Sequence, residues 1–197
     1  FGALLISVNP EILSPWEKIT KRIVDVLLSI LAILILLPVF ILLSFLIKTG
    51  SKGPIIFKQK RIGLYGNPFW IFKFRSMITE AEKDGPQLSS QNDPRITAIG
   101  KFMRKTRLDE TPQFFNVIKG DMAIVGPRPE REYYIEKIVE KAPHYKHVLK
   151  VKPGITSWGQ IKFGYAENVD EMVARLKFDL LYVENMSLSL DAVSYTH

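Results

Sequence analysis

The sequence predicts an α+β fold with one membrane-embedded helix followed by a small, mainly helical domain that contains a short β-hairpin. Three observations support this fold. About twenty nearly continuous apolar residues lie near the N-terminus, enough to cross a bilayer. Two β-rich runs then flank a turn, and the remainder alternates helical patterns with Pro- and Gly-containing turns. The chain has 197 residues, which is room for one compact domain and an attached segment.

The apolar run covers residues 26–47 and follows a strong helix start. Ser14 can cap the helix, Pro15 suits its first position, and Glu17 completes a capping box. Lysines and arginines flank both ends of the run, and Pro38 interrupts it. The pattern therefore predicts a long helix that begins before the apolar run.

Three interpretations of this helix compete. A buried helix of a soluble protein would need a larger core than this chain offers. Cations at both ends favour the cytoplasm for both ends, by the positive-inside tendency. Pro38 removes a backbone hydrogen bond to Leu34 and kinks the helix. From the residues alone, a spanning helix and a re-entrant helix that bends at Pro38 both remain open.

Composition narrows the chemistry. There are 27 Lys and Arg against 20 Asp and Glu, a net charge of +7 that favours anionic partners such as phosphates, nucleic acid or the acidic membrane face. The absence of cysteine excludes disulfides, a thiol nucleophile and a Cys-ligated zinc site. Three histidines leave little material for a histidine metal site or a Ser-His-Asp triad. We therefore expect chemistry based on carboxylates and arginines.

Two cations lie together on the second predicted strand. The strands cover residues 55–57 and 69–74, and the two-residue period places Lys73 and Arg75 on the face opposite Phe72 and Phe74. Such a pair could hold a phosphate, although a solvated strand face has the same pattern.

An acidic pair, Asp109 and Glu110, provides candidate catalytic groups. Pro112 is tolerated only in a first helical turn and Gly120 is a natural stop, so the pair lies at a helix N-terminus, where negative charge is favoured. Acidic pairs in this position are usually caps. A carboxylate pair amid guanidinium groups also suits a diphosphate ester bridged by a divalent cation. The cations that could converge on the pair are Lys73, Arg75, Arg104, Arg107 and Arg128.

Seven short blocks occur in order along the chain and carry a resemblance to a known family. They include Leu-Asp-Glu-Thr-Pro-Gln at 108–113 and Gly-Pro-Arg-Pro-Glu at 126–130. The other blocks lie at 21–25, 53–63, 73–77, 92–97 and 152–156. The chain resembles the monotopic polyprenol-phosphate sugar-1-phosphate transferases, also called the bacterial sugar transferase family, from about Lys21 to Asp191.

The resemblance implies an enzyme that transfers a sugar-1-phosphate from a UDP-sugar to undecaprenyl phosphate, an early membrane step of exopolysaccharide or O-antigen assembly. Asp109 would be the nucleophile that forms a phosphosugar-aspartate intermediate. Glu110 would assist Mg²⁺ binding or deprotonate the acceptor, and both carboxylates are expected Mg²⁺ ligands. Residues expected to bind substrate phosphates are Lys73, Arg104 and Arg128, with Arg75 and Gln160 as weaker candidates.

The resemblance also implies a topology. The membrane helix would be re-entrant, with both ends in the cytoplasm at the inner membrane and with amphipathic helices at the interface. The family bends at a Ser-Pro pair, whereas Leu37 precedes Pro38 here. We expect residues 1–16 to be a linker from an upstream domain, 17–49 the re-entrant helix and 50–197 the cytoplasmic catalytic domain. A homodimer is compatible with the larger members of the family, and nucleic acid is not an expected partner.

The main alternative is a catalytically inactive membrane scaffold of the same fold that recruits glycosyltransferases. A glycosidase is excluded because adjacent carboxylates cannot flank a glycosidic bond at the separation of about 5 to 9 Å that its mechanisms use. Two stretches depart from the common family pattern. Ser157 stands where glycine is usual, and residues 190–197 end without the usual apolar continuation.

Overall fold

A computed structural model describes residues 13–81, 85–88 and 93–195, so most of the predicted linker at 1–16 lies outside the described residues. Short 3₁₀ turns at Leu64–Gly66, Leu108–Glu110 and Pro143–Lys150 connect the longer elements. In chain order, those elements are α1 (Pro15–Gly50), β1 (Ile56–Ile62), β2 (Pro68–Phe74), α2 (Ala98–Lys105), α3 (Gln113–Lys119), β3 (Ala123–Val125), α4 (Glu132–Lys141), β4 (Gly154–Thr156), α5 (Trp158–Phe163), α6 (Val169–Glu184) and α7 (Leu188–Tyr195).

The long helix α1 begins as the sequence predicts. The Ser14 hydroxyl accepts from the Glu17 amide at 3.3 Å, and the Glu17 carboxylate accepts from the Ser14 amide at 3.0 Å, which completes the capping box. The helix then continues for 36 residues and is long and apolar enough to cross a membrane. It is one uninterrupted helix across Pro38, and the predicted bend there stays a prediction.

Both end regions of α1 contact the same folded domain. Near the start, Arg22 donates to the carbonyl oxygens of Val117 and Ile118 at 2.5 and 2.9 Å and so caps the C-terminal end of α3. Towards the other end, the ring of Phe40 meets that of Phe74 edge-on at 5.3 Å. The domain therefore holds α1 at two places separated by more than four helical turns.

The predicted hairpin is confirmed and is longer than predicted. β1 and β2 pair antiparallel, with Ile56 opposite Phe74 and Ile62 opposite Pro68. Propensity identified only the apolar start of β1, because its second half is rich in Lys, Gln and Arg. Pairing with β2 and contacts such as Lys58 Nζ 5.6 Å from the Phe72 ring centroid extend the strand.

Two amphipathic helices, α4 and α6, pack together in one of the hydrophobic clusters of the domain. The helix α6 buries Met172, Leu176 and Val183. Ile138 of α4 packs in the same cluster as Met172 and Leu176. The predicted placement of amphipathic helices at a membrane surface stays a prediction.

Candidate active site

The two candidate catalytic carboxylates lie in the 3₁₀ turn that precedes α3. Asp109 and Glu110 are both buried, although they sit on a connection between helices. The residue before the turn, Arg107, has a left-handed backbone with φ 60° and ψ 12°. α3 itself starts only at Gln113, after Pro112. The dyad therefore lies one turn earlier than the first turn of α3, where the sequence placed it.

Three cations surround Glu110. Lys73 Nζ lies 2.6 Å from its Oε1, Arg128 Nη2 lies 3.5 Å from the same oxygen, and Arg107 Nη1 lies 3.6 Å from Oε2. Burial alone would raise the pKa of Glu110, but Lys73 and Arg128 hold that pKa well below its usual value. Glu110 is therefore an anion at every physiological pH.

Asp109 has a different environment. Within the part of the chain that the structure describes, its carboxylate takes part in no salt bridge. Burial raises the pKa of Asp109; Lys73 and Arg104 oppose this rise, and the charge of Glu110 adds to it. The pKa values of the two adjacent carboxylates are thus shifted in opposite directions, an arrangement that commonly separates catalytic roles.

Lys73 is held against the dyad by a buried asparagine on α3. Asn116 is fully buried; its Oδ1 accepts from the Phe72 amide at 3.0 Å, and its Nδ2 donates to the Trp70 carbonyl at 2.7 Å. The side chain thereby pairs with backbone groups at the open edge of β2, in the place that a neighbouring strand would take. Sequence reasoning missed Asn116, whose one visible signal is an uncharged polar residue between apolar neighbours of a short helix.

Arg128 is held by close contact of two motif turns. The Gly154 amide donates to the Pro127 carbonyl at 2.9 Å, and the Gly126 amide donates to the Thr156 carbonyl at 3.0 Å. A Cβ at Gly154 would lie 2.1 Å from the Gly126 nitrogen, so only glycine permits this approach. The contact explains why the Gly-Pro-Arg-Pro-Glu and Lys-Pro-Gly blocks occur together: one turn supports the arginine of the other.

Glu130, at the end of the Gly-Pro-Arg-Pro-Glu turn, anchors this turn through two ion pairs. Its Oε1 lies 2.7 Å from Arg175 Nη2 and its Oε2 lies 3.2 Å from Arg61 Nη1, and all three side chains are largely buried. Burial would raise the pKa of Glu130, but Arg175 and Arg61 lower it. Burial lowers the pKa of Arg61 to about 10, against the opposing charge of Glu130. Sequence reasoning missed Arg61 and Arg175 because they are 69 and 45 residues away from Glu130 in the chain.

Gln160 and Arg104 also reach the site. Gln160 is buried; its Oε1 accepts from Arg128 Nη1 at 2.9 Å, and its Nε2 has no hydrogen-bond partner among the described residues. A buried donor without a partner is expensive, which fits a group that meets a substrate atom. Arg104 donates from Nε to the Ser76 hydroxyl at 2.9 Å and lowers the pKa of Asp109.

Arg75 does not meet the dyad. Its guanidinium donates to the carbonyl oxygens of Ser51 and Lys52 at 2.7 and 3.0 Å, at the end of α1. The alternation that puts residues 73 and 75 on one face holds only while the strand continues, and β2 ends at Phe74. The structure thus separates two cations that the sequence grouped.

A divalent cation fits one of the two carboxylates better than the other. No group of three or more His, Cys, Asp or Glu residues suited to a metal occurs in the described ranges. Mg²⁺ is often held by one or two carboxylates together with substrate phosphates. Within the described ranges the Asp109 oxygens make no salt bridge, whereas both oxygens of Glu110 face cations. The donor set therefore fits Mg²⁺ only together with a phosphate ligand, and at Asp109 before Glu110.

A comparison with family models decides the family. The model described as bacterial sugar transferase matches residues 16–196, nearly the whole chain. The chain belongs to the bacterial sugar transferase family. The resemblance noted in the sequence is thereby confirmed.

Named relatives agree with this assignment. A UDP-N-acetylgalactosamine-undecaprenyl-phosphate N-acetylgalactosaminephosphotransferase of Aeromonas hydrophila is 41% identical over 91% of this chain and 43% of its own length. A UDP-glucose:undecaprenyl-phosphate glucose-1-phosphate transferase of Escherichia coli K12 is 42% identical over 96% of the chain and 41% of its own length. A putative undecaprenyl-phosphate N-acetylgalactosaminyl 1-phosphate transferase of Bacillus subtilis is 45% identical over 66% of the chain and 72% of its own length. The chain thus spans about two fifths of the first two relatives.

Proposed function

We propose that this chain is the catalytic part of a transferase that moves a sugar-1-phosphate from a UDP-sugar to undecaprenyl phosphate. The names of the relatives support the reaction class. The observation that carries the proposal is the dyad: the buried Asp109, which makes no salt bridge among the described residues, lies beside Glu110, whose three cations form a site for phosphate charge.

In the first step, an Asp109 carboxylate oxygen attacks the sugar-side phosphorus of the donor. A phosphorus–oxygen bond forms to Asp109, the bond to the uridine-side phosphate breaks, and UMP leaves with the electron pair. Lys73 and Arg128 stabilise the charge that spreads over the phosphate oxygens. A carboxylate nucleophile divides one difficult transfer into two easier steps.

In the second step, a phosphate oxygen of undecaprenyl phosphate attacks the same phosphorus, and the bond to Asp109 breaks. The product is an undecaprenyl diphosphate sugar, and the carboxylate is regenerated. Glu110 is poorly suited to deprotonate the acceptor, because three cations hold its pKa far below neutral pH. In this proposal, Glu110 instead gathers Lys73, Arg107 and Arg128 around the phosphates.

Magnesium completes the proposed site. Mg²⁺ would be held by the Asp109 carboxylate and the donor phosphates. Glu110 would be a second ligand if one of its three cationic partners moved away from its carboxylate. The metal would neutralise the charge of the diphosphate. The structural support for this proposal is that the Asp109 carboxylate makes no salt bridge among the described residues.

The same proposal places α1 in the inner membrane as a re-entrant helix that bends at Pro38, with the catalytic domain on the cytoplasmic face. Its support is the packing of both end regions of α1 on one domain, which suits a helix that enters and leaves at one membrane face. Exopolysaccharide or O-antigen assembly is the proposed setting.

The deciding experiment is isotope exchange in the absence of acceptor. The purified chain in nanodiscs would be incubated with Mg²⁺, a panel of UDP-sugars and labelled UMP. A covalent Asp109 intermediate predicts that label enters the UDP-sugar without undecaprenyl phosphate. Asp109→Asn should abolish exchange, and Asp170→Asn, a change at an exposed carboxylate on α6, should retain it.

Each remaining outcome has a distinct meaning. UMP release that requires the acceptor, with no exchange in its absence, would contradict the covalent step and indicate direct transfer. No release from any donor by a folded chain would favour the inactive scaffold.

A further inference from the structure

The steps above give Arg107 only a general place among the cations around the phosphates, and they give the neighbouring Tyr165 no role. Arg107 Cζ lies 4.5 Å from the centroid of the Tyr165 ring, and Arg128 Cζ lies 5.8 Å from the same centroid. Tyr165 lies in the connection after α5 and is 56% exposed. The exposed ring of Tyr165 therefore lies beside two of the arginines that contact Glu110.

The two arginines differ in accessibility. The Arg128 side chain is 17% exposed, whereas that of Arg107 is 48% exposed although it lies 3.6 Å from Glu110 Oε2. Lys73 and Arg128 thus form the inner part of the cation cluster and Arg107 its outer part. A ligand with two phosphates has the matching charge distribution, with one phosphate at Asp109 and the next towards Arg107.

The backbone conformation of Arg107 sets the direction of its side chain. Its left-handed conformation is unusual for a residue other than glycine and costs free energy. That conformation precedes the 3₁₀ turn that contains Asp109 and Glu110, so the Arg107 side chain branches from the backbone two residues before Asp109. Stacking on Tyr165 then orients the guanidinium plane.

We propose that Arg107 and Tyr165 bind the leaving nucleotide of the donor. The Arg107 guanidinium binds the phosphate on the nucleoside side, and the exposed part of the Tyr165 ring stacks on the aromatic base. This inference rests on the proposed function and extends it, because it assigns a subsite to the half of the donor that is not transferred. Guanidinium groups bind phosphate oxygens through charge-assisted hydrogen bonds, and aromatic side chains stack on any nucleobase.

Direct binding measurements separate the two contacts. UMP and inorganic pyrophosphate would be titrated by calorimetry into the detergent-solubilised chain. Tyr165→Leu should weaken UMP binding about tenfold or more and leave pyrophosphate binding unchanged, because only UMP has a base to stack. Tyr165→Phe keeps the ring and should bind UMP as the unaltered chain does. Arg107→Gln should weaken the binding of both ligands.

A matched control is available on α4. Tyr133 is also exposed, and Lys137 Nζ lies 4.1 Å from its ring centroid, so Tyr133→Leu removes a similar cation-stacked tyrosine outside the site. Equal UMP affinity of Tyr165→Leu and Tyr133→Leu would overturn the inference while leaving the proposed function intact. Absence of UMP binding by the unaltered chain would overturn the inference, and the exchange experiment would then decide the proposed function separately. The thermal unfolding midpoint of each variant checks that it is folded, and Arg107→Gln tests the subsite independently of any change at Tyr165.

Discussion

A buried ion pair between α1 and the last described helix permits a quantitative prediction. Lys21 Nζ lies 2.5 Å from Asp191 Oδ2 and donates to the Val125 carbonyl at 3.3 Å. The Tyr182 hydroxyl donates to the other Asp191 oxygen at 2.7 Å. Lys21 and Asp191 are 8% and 3% exposed, so the pair is shielded from water. It joins the start of α1 to α7.

The perturbation is Asp191→Asn, which removes the charge and keeps the shape. Removing one partner of a buried pair costs about 3 to 5 kcal/mol, because the remaining charge stays buried without compensation. Lys21 would retain Asp25 at 3.6 Å, and the new amide oxygen could still accept from Tyr182. We therefore expect a loss near the lower limit, about 3 kcal/mol in the free energy of unfolding.

The chain contains a control ion pair with the same distance between its nitrogen and oxygen atoms. Lys141 Nζ also lies 2.5 Å from Asp170 Oδ1, but these side chains are 52% and 79% exposed. Exposed pairs contribute about 0 to 1 kcal/mol, so Asp170→Asn should change stability by less than about 1 kcal/mol. Both variants would be measured by equilibrium urea unfolding in the same detergent. Equal losses for the two substitutions would refute the argument that burial determines the cost.

A double substitution checks the mechanism of that loss. Lys21→Met combined with Asp191→Leu removes both charges and should be less destabilising than Asp191→Asn, because no uncompensated charge remains. If the double substitution lowered the free energy of unfolding by as much as Asp191→Asn or more, lost packing rather than the unpaired charge would dominate the cost.

Two further predictions concern Lys73 and its support. Lys73 lowers the pKa of Asp109, so Lys73→Gln should raise that pKa. Because the proposed nucleophile, Asp109, must be deprotonated to attack, the acid limb of UMP release should move to higher pH. A pH–rate profile with an unchanged acid limb would contradict this. Asn116→Asp keeps an acceptor for the Phe72 amide but puts an anionic oxygen against the Trp70 carbonyl, and should cost about 2 kcal/mol or more of stability with reduced UMP release. Urea unfolding at neutral pH measures this cost, and a loss below about 0.5 kcal/mol would contradict the assigned role.

Several local features of the fold could be predicted from neighbouring residues. The Ser14–Glu17 capping box, the stop at Gly120 and the buried stripe of α6 all depend on residues within one or two turns of each other. The hairpin turn and the start of β1 were predicted for the same reason. The prediction for Arg75 extended a local period past the end of β2 and therefore placed this arginine beside Lys73, away from its actual partners, Ser51 and Lys52, just after the end of α1.

The candidate site shows which features could not be predicted from local sequence patterns. The acidic pair and the surrounding cations were visible in the sequence, and seven ordered blocks identified the family. Only the tertiary structure determined that three cations face Glu110, that Asp109 has no salt bridge among the described residues, and that Asn116 supports the strand of Lys73. Lys73 and Glu110 in the site are 37 positions apart in the chain, and the buried pair of Lys21 and Asp191, outside the site, joins residues 170 positions apart. Residue types and spacing established which charges the chain carries, but the packing of distant segments decided which charges meet and which lose their water.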